Sequence, residues 1–182
     1  MSTLKMPFNS MRDHYYGSLF APVELMQYGD FQCSHCGDVY PDIKLLLETL
    51  GTRVRLVYRH FPLQHIHPLA LEASMATEVA ASQGKFWPMH DMIFENQKYL
   101  LRSSFSTFAN TIRLNLEEYE NTHKHKKLLL KVINDFESGI KSGVDGTPTF
   151  FINGKKYNGF NDFEGFYRAC KYTYNVNNPV LR

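Results

Sequence analysis

At 182 residues with 43% apolar content, the chain is long enough to bury a sizeable core and suits one domain, or one domain carrying an insertion. Twenty basic residues against eighteen acidic leave a formal charge of +2, which gives no field to steer the protein toward nucleic acid or an acidic membrane surface, and the composition excludes a disordered or fibrous chain. Three cysteines cannot form a disulfide framework and a chain of this size does not need one, so the pair Cys33 and Cys36 reads as catalytic rather than stapling.

No run reaches the roughly 18 apolar residues of a membrane helix. Met1 to Phe20 is interrupted by Lys5, Arg12, Asp13 and His14 and has neither an apolar core of signal-peptide length nor a small-residue cleavage site. As written, the sequence carries the expectation of a cytoplasmic address. The alternative is a periplasmic or exported protein from which a leader has been removed.

Val23 to Tyr28 is predicted as a buried strand and Ser34 to Leu50 as a helix, with Val39, Ile43, Leu46, Leu47 and Leu50 at helical spacing, Pro41 expected to bend it and Gly51 to end it. Alternation through Val54, Leu56 and Tyr58 marks Arg53 to His60 as the next strand, closing a βαβ unit at Phe61-Pro62. Helices are expected over Pro68 to Ser82, Phe86 to Asn96, Ser104 to Ile112, Leu116 to Thr122 and Lys124 to Lys141. Thr149 to Ile152 and Lys155 to Tyr157 flank Asn153-Gly154, the strongest short hairpin signal, and Asp162 caps a closing helix to Thr173. Val176 to Arg182 reads as a loose tail.

Between the first strand and the first helix lies Cys33-Ser34-His35-Cys36. Two cysteines three apart at a helix start can bring their sulfurs together, and the unpaired N–H groups and dipole of the first turn stabilise a thiolate, which makes Cys33 the reactive group. His35 can donate to, or when protonated pair with, the Cys33 sulfur. Far downstream sits Gly146-Thr147-Pro148-Thr149-Phe150-Phe151-Ile152. A bare Cys-x-x-Cys fits half a zinc site as well, with His65 and His67 or His123 and His125 as further ligands. Neither histidine pair has a second Cys-x-x-Cys beside it, and a cysteine pair between strand and helix is redox geometry.

Val23 to Gly37, Gly143 to Gly154 and Gln83-Gly84-Lys85-Phe86-Trp87-Pro88-Met89-His90-Asp91 together resemble the DsbA-like thiol-disulfide oxidoreductases of the thioredoxin superfamily, over roughly residues 21 to 172. The resemblance implies an α/β thioredoxin-like fold, a central mixed sheet flanked by helices, with an inserted all-helical subdomain. Cys36 and Pro148 lie 112 positions apart, which fits that insertion. The expected division is 1–62 with 141–175 as the thioredoxin-like domain, 63–140 as the insertion and 176–182 as a tail.

The resemblance further implies that Cys33 attacks, Cys36 resolves, and Thr147-Pro148, joined by a cis bond, presents backbone to an extended substrate. Protein thiols or disulfides would be the substrates, with a separate recycling partner, no cofactor and no metal. Two positions depart from the family. Gln27 stands where relatives carry a buried acid, so that either water or Glu24 takes the resolving thiol's proton or release of mixed disulfides is slow, and Ser34 stands where proline is common. Electron flow can run either way: a cytoplasmic address favours reduction or isomerisation, the family likeness oxidation. A redox-latched peptide-binding domain without turnover is the alternative function. Phe31, Tyr58, Phe86, Trp87, Phe94 and Phe150 read mostly as core rather than groove, and Cys170 as a small buried apolar residue.

Overall fold

The computed structural model describes residues 3–117 and 122–177. Five strands form one mixed sheet: β1 (His14–Gly17), β2 (Val23–Gly29), β3 (Val54–His60), β4 (Thr149–Ile152) and β5 (Lys155–Lys156), in the spatial order β1-β3-β2-β4-β5. β2 runs parallel to β3 and antiparallel to β4, while β1 and β5 are the antiparallel edges. Helix α1 (Ser34–Leu50) links β2 to β3. Between β3 and β4 the longer described elements are all helical: α2 (Ala70–Ser82), α3 (Phe86–Glu95), α4 (Ser104–Thr111) and α5 (Thr122–Lys141). Helix α6 (Phe163–Asn177) closes the fold. This is the thioredoxin-like α/β architecture.

Alternation along β2 decides which residues face which layer. Val23 and Leu25 join Val54, Leu56, Phe150 and Ile152 beneath Val39, Ile43 and Leu46 of α1 and Phe166 and Cys170 of α6. Met26 and Tyr28 face the opposite way, packing with Val57, Phe61, Phe151 and Val144 against Phe136 of α5. Both faces are covered, so β2 is buried along its whole length. A third cluster joins Phe31, Cys33, Cys36 and Tyr58 to the apolar faces of α2, α3 and α4. The helical block therefore shares its core with the cysteine pair.

Most expected elements are present within a residue or two. Gly51, at φ 54°, ends α1, and Asn153 and Gly154, at φ 45° and 77°, take the paired positive-φ geometry of a tight hairpin. Asp162 Oδ1 accepts from the Gly165 N–H at 2.8 Å, the expected cap. Three differences stand out. Residues 51–53 form a 3-10 turn, so β3 begins at Val54. Helix α6 runs to Asn177, so the first two residues of the expected tail are helical, while 178–182 lie outside the described residues, as does most of the helix expected from Leu116. Strand β1 was not foreseen, because His14-Tyr15-Tyr16-Gly17 carries no buried alternation of its own and gains its order from pairing with β3.

The reason β1 stays in place is ionic. Arg59 of β3 is wholly buried and directs its fork at Asp13, with Nε to Oδ1 at 2.9 Å and Nη2 to Oδ2 at 3.0 Å. It also donates to the carbonyls of Met6 and Pro7 and to Tyr28 Oη. Burial opposes the charge on Asp13, yet the bonds from Arg59 and Arg12 hold its carboxyl below the usual range. Removing one partner leaves an uncompensated charge. We expect Asp13→Ala to cost about 3–5 kcal/mol, and the double change Asp13→Leu with Arg59→Met to cost less than Asp13→Ala alone, measured by urea unfolding.

Candidate active site

The site is assembled where β2 ends. Asp30 is fully buried, and its carboxylate accepts from the N–H of Gln32 at 2.7 Å, the N–H of Leu63 at 2.8 Å and the ring Nδ1 of His67 at 2.8 Å. Its carbonyl accepts from the Cys33 N–H at 3.2 Å. From the helical block, Gln97 Nε2 donates to the carbonyls of Phe31 and Cys33, both at 2.9 Å, and Gln32 Oε1 accepts from Leu69 N–H. Gly37 leaves room for this contact, because a Cβ at that position would displace the Gln97 amide. The loop that presents Cys33 is thus gripped from both sides.

Cys33 is the N-cap of α1, and its carbonyl accepts from the N–H groups of Cys36 and Gly37. Its Sγ lies 3.3 Å from the carbonyl oxygen of Thr147, across a loop in which Thr147-Pro148 is cis. The two segments read from the sequence, 114 residues apart, therefore meet at one sulfur. Cys33 is 5% exposed and Cys36 0%, and both are free thiols.

Their acidities part in opposite directions. The hydrogen bond from the Cys36 thiol, together with Thr147 and the N–H groups of Cys36 and His35, brings the Cys33 pKa down to about 5 against the opposing effect of burial. Burial pushes Cys36 well above the ordinary thiol value, and its neighbour's charge adds to that. One sulfur ionises; the other keeps its proton. The Thr147 hydroxyl is buried beside both and has no geometrically satisfactory partner in this dithiol form, so it is available to donate once Cys33 ionises.

His35 lies on the exposed first turn of α1. Its imidazole is 81% exposed and lies 3.9 Å from Asp38, and its contribution to the Cys33 thiolate comes through the backbone N–H. The ring instead borders an open groove of about 410 Å³ with Asp38, Asp42, Thr147, Pro148 and Asn161. Ser34 is exposed at the helix start.

Glu24 does not reach the resolving thiol. It shares the Met26 and Tyr28 face of β2, opposite to the face of Leu25, and is held by Arg55 Nη2 at 2.7 Å. Gln27, 2% exposed, is the β2 residue that borders a cavity with Cys36. Of the histidines considered as metal ligands, His67 is committed to Asp30 and His65 is exposed, while the side chains of His123 and His125 lie outside the described residues. Phe31, Tyr58, Phe86, Phe94 and Phe150 are buried, and Trp87, half-buried, donates to the Tyr15 carbonyl. Cys170 is buried in the α1–α6 layer, where burial raises its pKa to about 12.

The parts that sequence reading missed are Asp30, Gln32 and Gln97. Each bonds to backbone, and a side chain that bonds backbone leaves no spacing signal.

With this geometry the chain belongs to the thioredoxin family: the family model Thioredoxin_4, described as thioredoxin, matches residues 9–171. Among solved structures it is similar to alpha-DsbA1 of Wolbachia pipientis, with a TM-score of 0.81 at 22% identity over 98% of each chain. It is similar also to oxidised BdbD of Bacillus subtilis, with a TM-score of 0.78 at 19% identity over 96% of this chain and 99% of the other. Among curated proteins, a Na(+)/H(+) antiporter NhaA 1 of Salinispora arenicola is 36% identical over 91% of this chain, and an NhaA 3 of Salinispora tropica 37% over 86%. The chain spans about a quarter of the length of these curated relatives. Among the described residues no helix is long and apolar enough to cross a membrane.

The opposed acidities have a measurable signature. Thiolate absorbance of the reduced protein should rise with a midpoint near pH 5, Cys36→Ala should move it toward the ordinary value of about 8.5, and His35→Leu should move it less. Because the folded value lies below the unfolded one, the native dithiol is stabilised above about pH 8.5 and loses that stabilisation as pH falls through about 5. Urea midpoints of reduced wild type and Cys33→Ser should therefore diverge as pH rises across that window.

Proposed function

We propose that this chain is a protein thiol-disulfide oxidoreductase in which Cys33 is the nucleophile, Cys36 the resolving thiol, and Thr147-Pro148 the substrate platform. The observation that carries the reading is the placement of Cys33 at the cap of α1 with its Sγ 3.3 Å from the Thr147 carbonyl and Cys36 fully buried one turn on, surroundings that drive the two acidities apart. Exchange needs a thiolate to attack and a protonated partner held in reserve. The sheet with α1 and α6, residues 1–62 and 141–175, supplies the chemistry, and the block 63–140 fixes the loop that presents it.

An extended substrate would lie in the groove beside His35, Asp38, Asp42 and Pro148, taking its backbone contacts from Thr147 as an added strand does. Asp38 and Asp42 favour clients with basic residues near the reacting cysteine. Stabilising the Cys33 thiolate stabilises the dithiol form, so the disulfide form is the stronger oxidant and the favoured flow is oxidation of client thiols, with a separate partner restoring the disulfide.

Cys33→Ser should abolish exchange, because no sulfur remains to form the mixed disulfide. Cys36→Ser should leave a reactive Cys33 that accumulates adducts with a reduced, unfolded client in the presence of oxidised glutathione. Non-reducing gels and intact mass read both results. Equal trapping by the two variants overturns the assignment of roles, and a wild type that reacts once without cycling marks a redox latch instead of a catalyst.

A further inference from the structure

Side chains from three separate elements converge between the sheet and the helical block: His14 of β1, His60 of β3 and Glu78 of α2. His14 pairs across the sheet with Tyr58, so its ring lies on the same face as Tyr58 and His60, and Glu78 meets both rings from the buried side of α2. His14 Nε2 lies 2.7 Å and His60 Nε2 2.8 Å from one and the same oxygen, Glu78 Oε1. The two histidines stand 64 and 18 positions from Glu78, so no spacing in the sequence announces them.

A glutamate that is 3% exposed needs a reason to be there. Among the described residues its ion-pair partners are these two imidazoles, with no lysine or arginine. Lys131, on the neighbouring α5, is committed to Asp135, whose Oδ2 also accepts from the His60 N–H at 3.2 Å. Buried charges in proteins are paired or coordinate metals.

Both rings are aimed by packing. His14 stacks on Phe86 at a centroid distance of 3.7 Å with 10° between the planes. His60 is enclosed by Phe31, Tyr58 and Phe86 at 6.0, 5.6 and 6.0 Å. Its Nδ1 is buried without a hydrogen-bond partner, so the ring is engaged through Nε2 alone. An aromatic collar of this kind keeps the two nitrogens converging whether a hydrogen bond or a metal bond lies between them and the carboxylate.

We propose that His14, His60 and Glu78 form a binding site for a divalent transition-metal ion of the zinc type. Two imidazoles and one carboxylate are the donor set of zinc sites that keep a fourth position for water, whereas calcium and magnesium take oxygen ligands. The ligand atoms of the three residues lie within 4.8 Å of one another. Ligand atoms around zinc sit about 2.0–2.2 Å from the ion and so about 3.4 Å apart, which a shift of about half an ångström in the Glu78 carboxylate would provide. The His14 side chain is 19% exposed and gives the ion and its water a way in. Each ring coordinates as a neutral imidazole with its proton on Nδ1, and any proton beyond that leaves to solvent as the ion enters.

The ion would tie the edge strand β1, the central strand β3 and helix α2 together, behind the aromatic cluster that also holds Cys33 and Cys36. No cysteine takes part, so the site stands whether or not the chain exchanges disulfides. Its effect on the fold is stabilisation that grows with occupancy.

The test uses the full chain carrying Cys33→Ser and Cys36→Ser, which removes the competing thiols, and adds zinc followed by calorimetry. One ion per chain should bind, and the thermal unfolding midpoint should climb with zinc concentration. Cobalt in place of zinc should give visible ligand-field absorption without a thiolate-to-cobalt charge-transfer band. In that background His14→Ala, at the most exposed of the three positions, and Glu78→Gln should each weaken zinc about ten-fold or more. His65→Ala, on an exposed ring, should leave the affinity unchanged. Zinc affinity in folded His14→Ala equal to that of its parent overturns the proposal, as does a chain with no saturable one-to-one site or with a thermal midpoint indifferent to zinc. If Glu78→Gln does not fold, His14→Ala decides alone. If the double serine background does not fold, reduced wild type decides, where cobalt absorption that carries only the thiolate band overturns the site.

Discussion

The structure turns on the different surroundings of two buried sulfurs one helical turn apart. Cys36 is sealed into an apolar cluster built from both the sheet and the helical block, while Cys33 sits at the helix cap, where N–H groups and a thiol point at it. Neither condition suffices alone. Without the seal, Cys36 would compete for the charge; without the cap, Cys33 would have no reason to ionise early. The helical block supplies the seal through Phe86, Ile93 and Phe94 and the grip through Gln97. Thiol acidity and packing are therefore hard to separate, since loosening α3 from the sheet would expose Cys36 and free the Cys33 loop together.

Much of this was legible in the chain. β2 and β4 are mostly apolar runs bounded by turn residues and β3 alternates, and such patterns declare themselves; so do α1, whose apolar residues keep a helical period, and α2, which is rich in strong helix formers. The cysteine pair and the threonine-proline loop were legible as chemistry, and their meeting at Cys33 Sγ is what the fold adds. Strand β1 was hidden because its stability comes from Asp13 and Arg59, 46 residues apart, rather than from its own pattern. Asp30 and Gln97 were hidden for a related reason. They serve backbone groups, and polar residues outside a motif give no hint of which carbonyl or N–H they will find. For His35 the sequence shows adjacency to Cys33 but not where the ring lies: on the exposed first turn the ring is 3.9 Å from Asp38 while the N–H stays with the sulfur.

On the proposed function, the edges of the sheet bear on how clients would dock. Thr3 pairs with Lys155 and the Leu4 N–H donates to the Gly154 carbonyl, so the N-terminal segment lies along β5, which is only two residues long. At the other edge Trp87 of α3 takes the Tyr15 carbonyl of β1. Unpaired strand edges recruit any extended polypeptide, and partly folded clients are extended polypeptides with exposed strands. A redox protein with open edges would become a nucleus for its clients' aggregation. On the proposed function, contacts at both flanks would steer docking by strand addition to the proline loop, where a client's stay would be ended by chemistry.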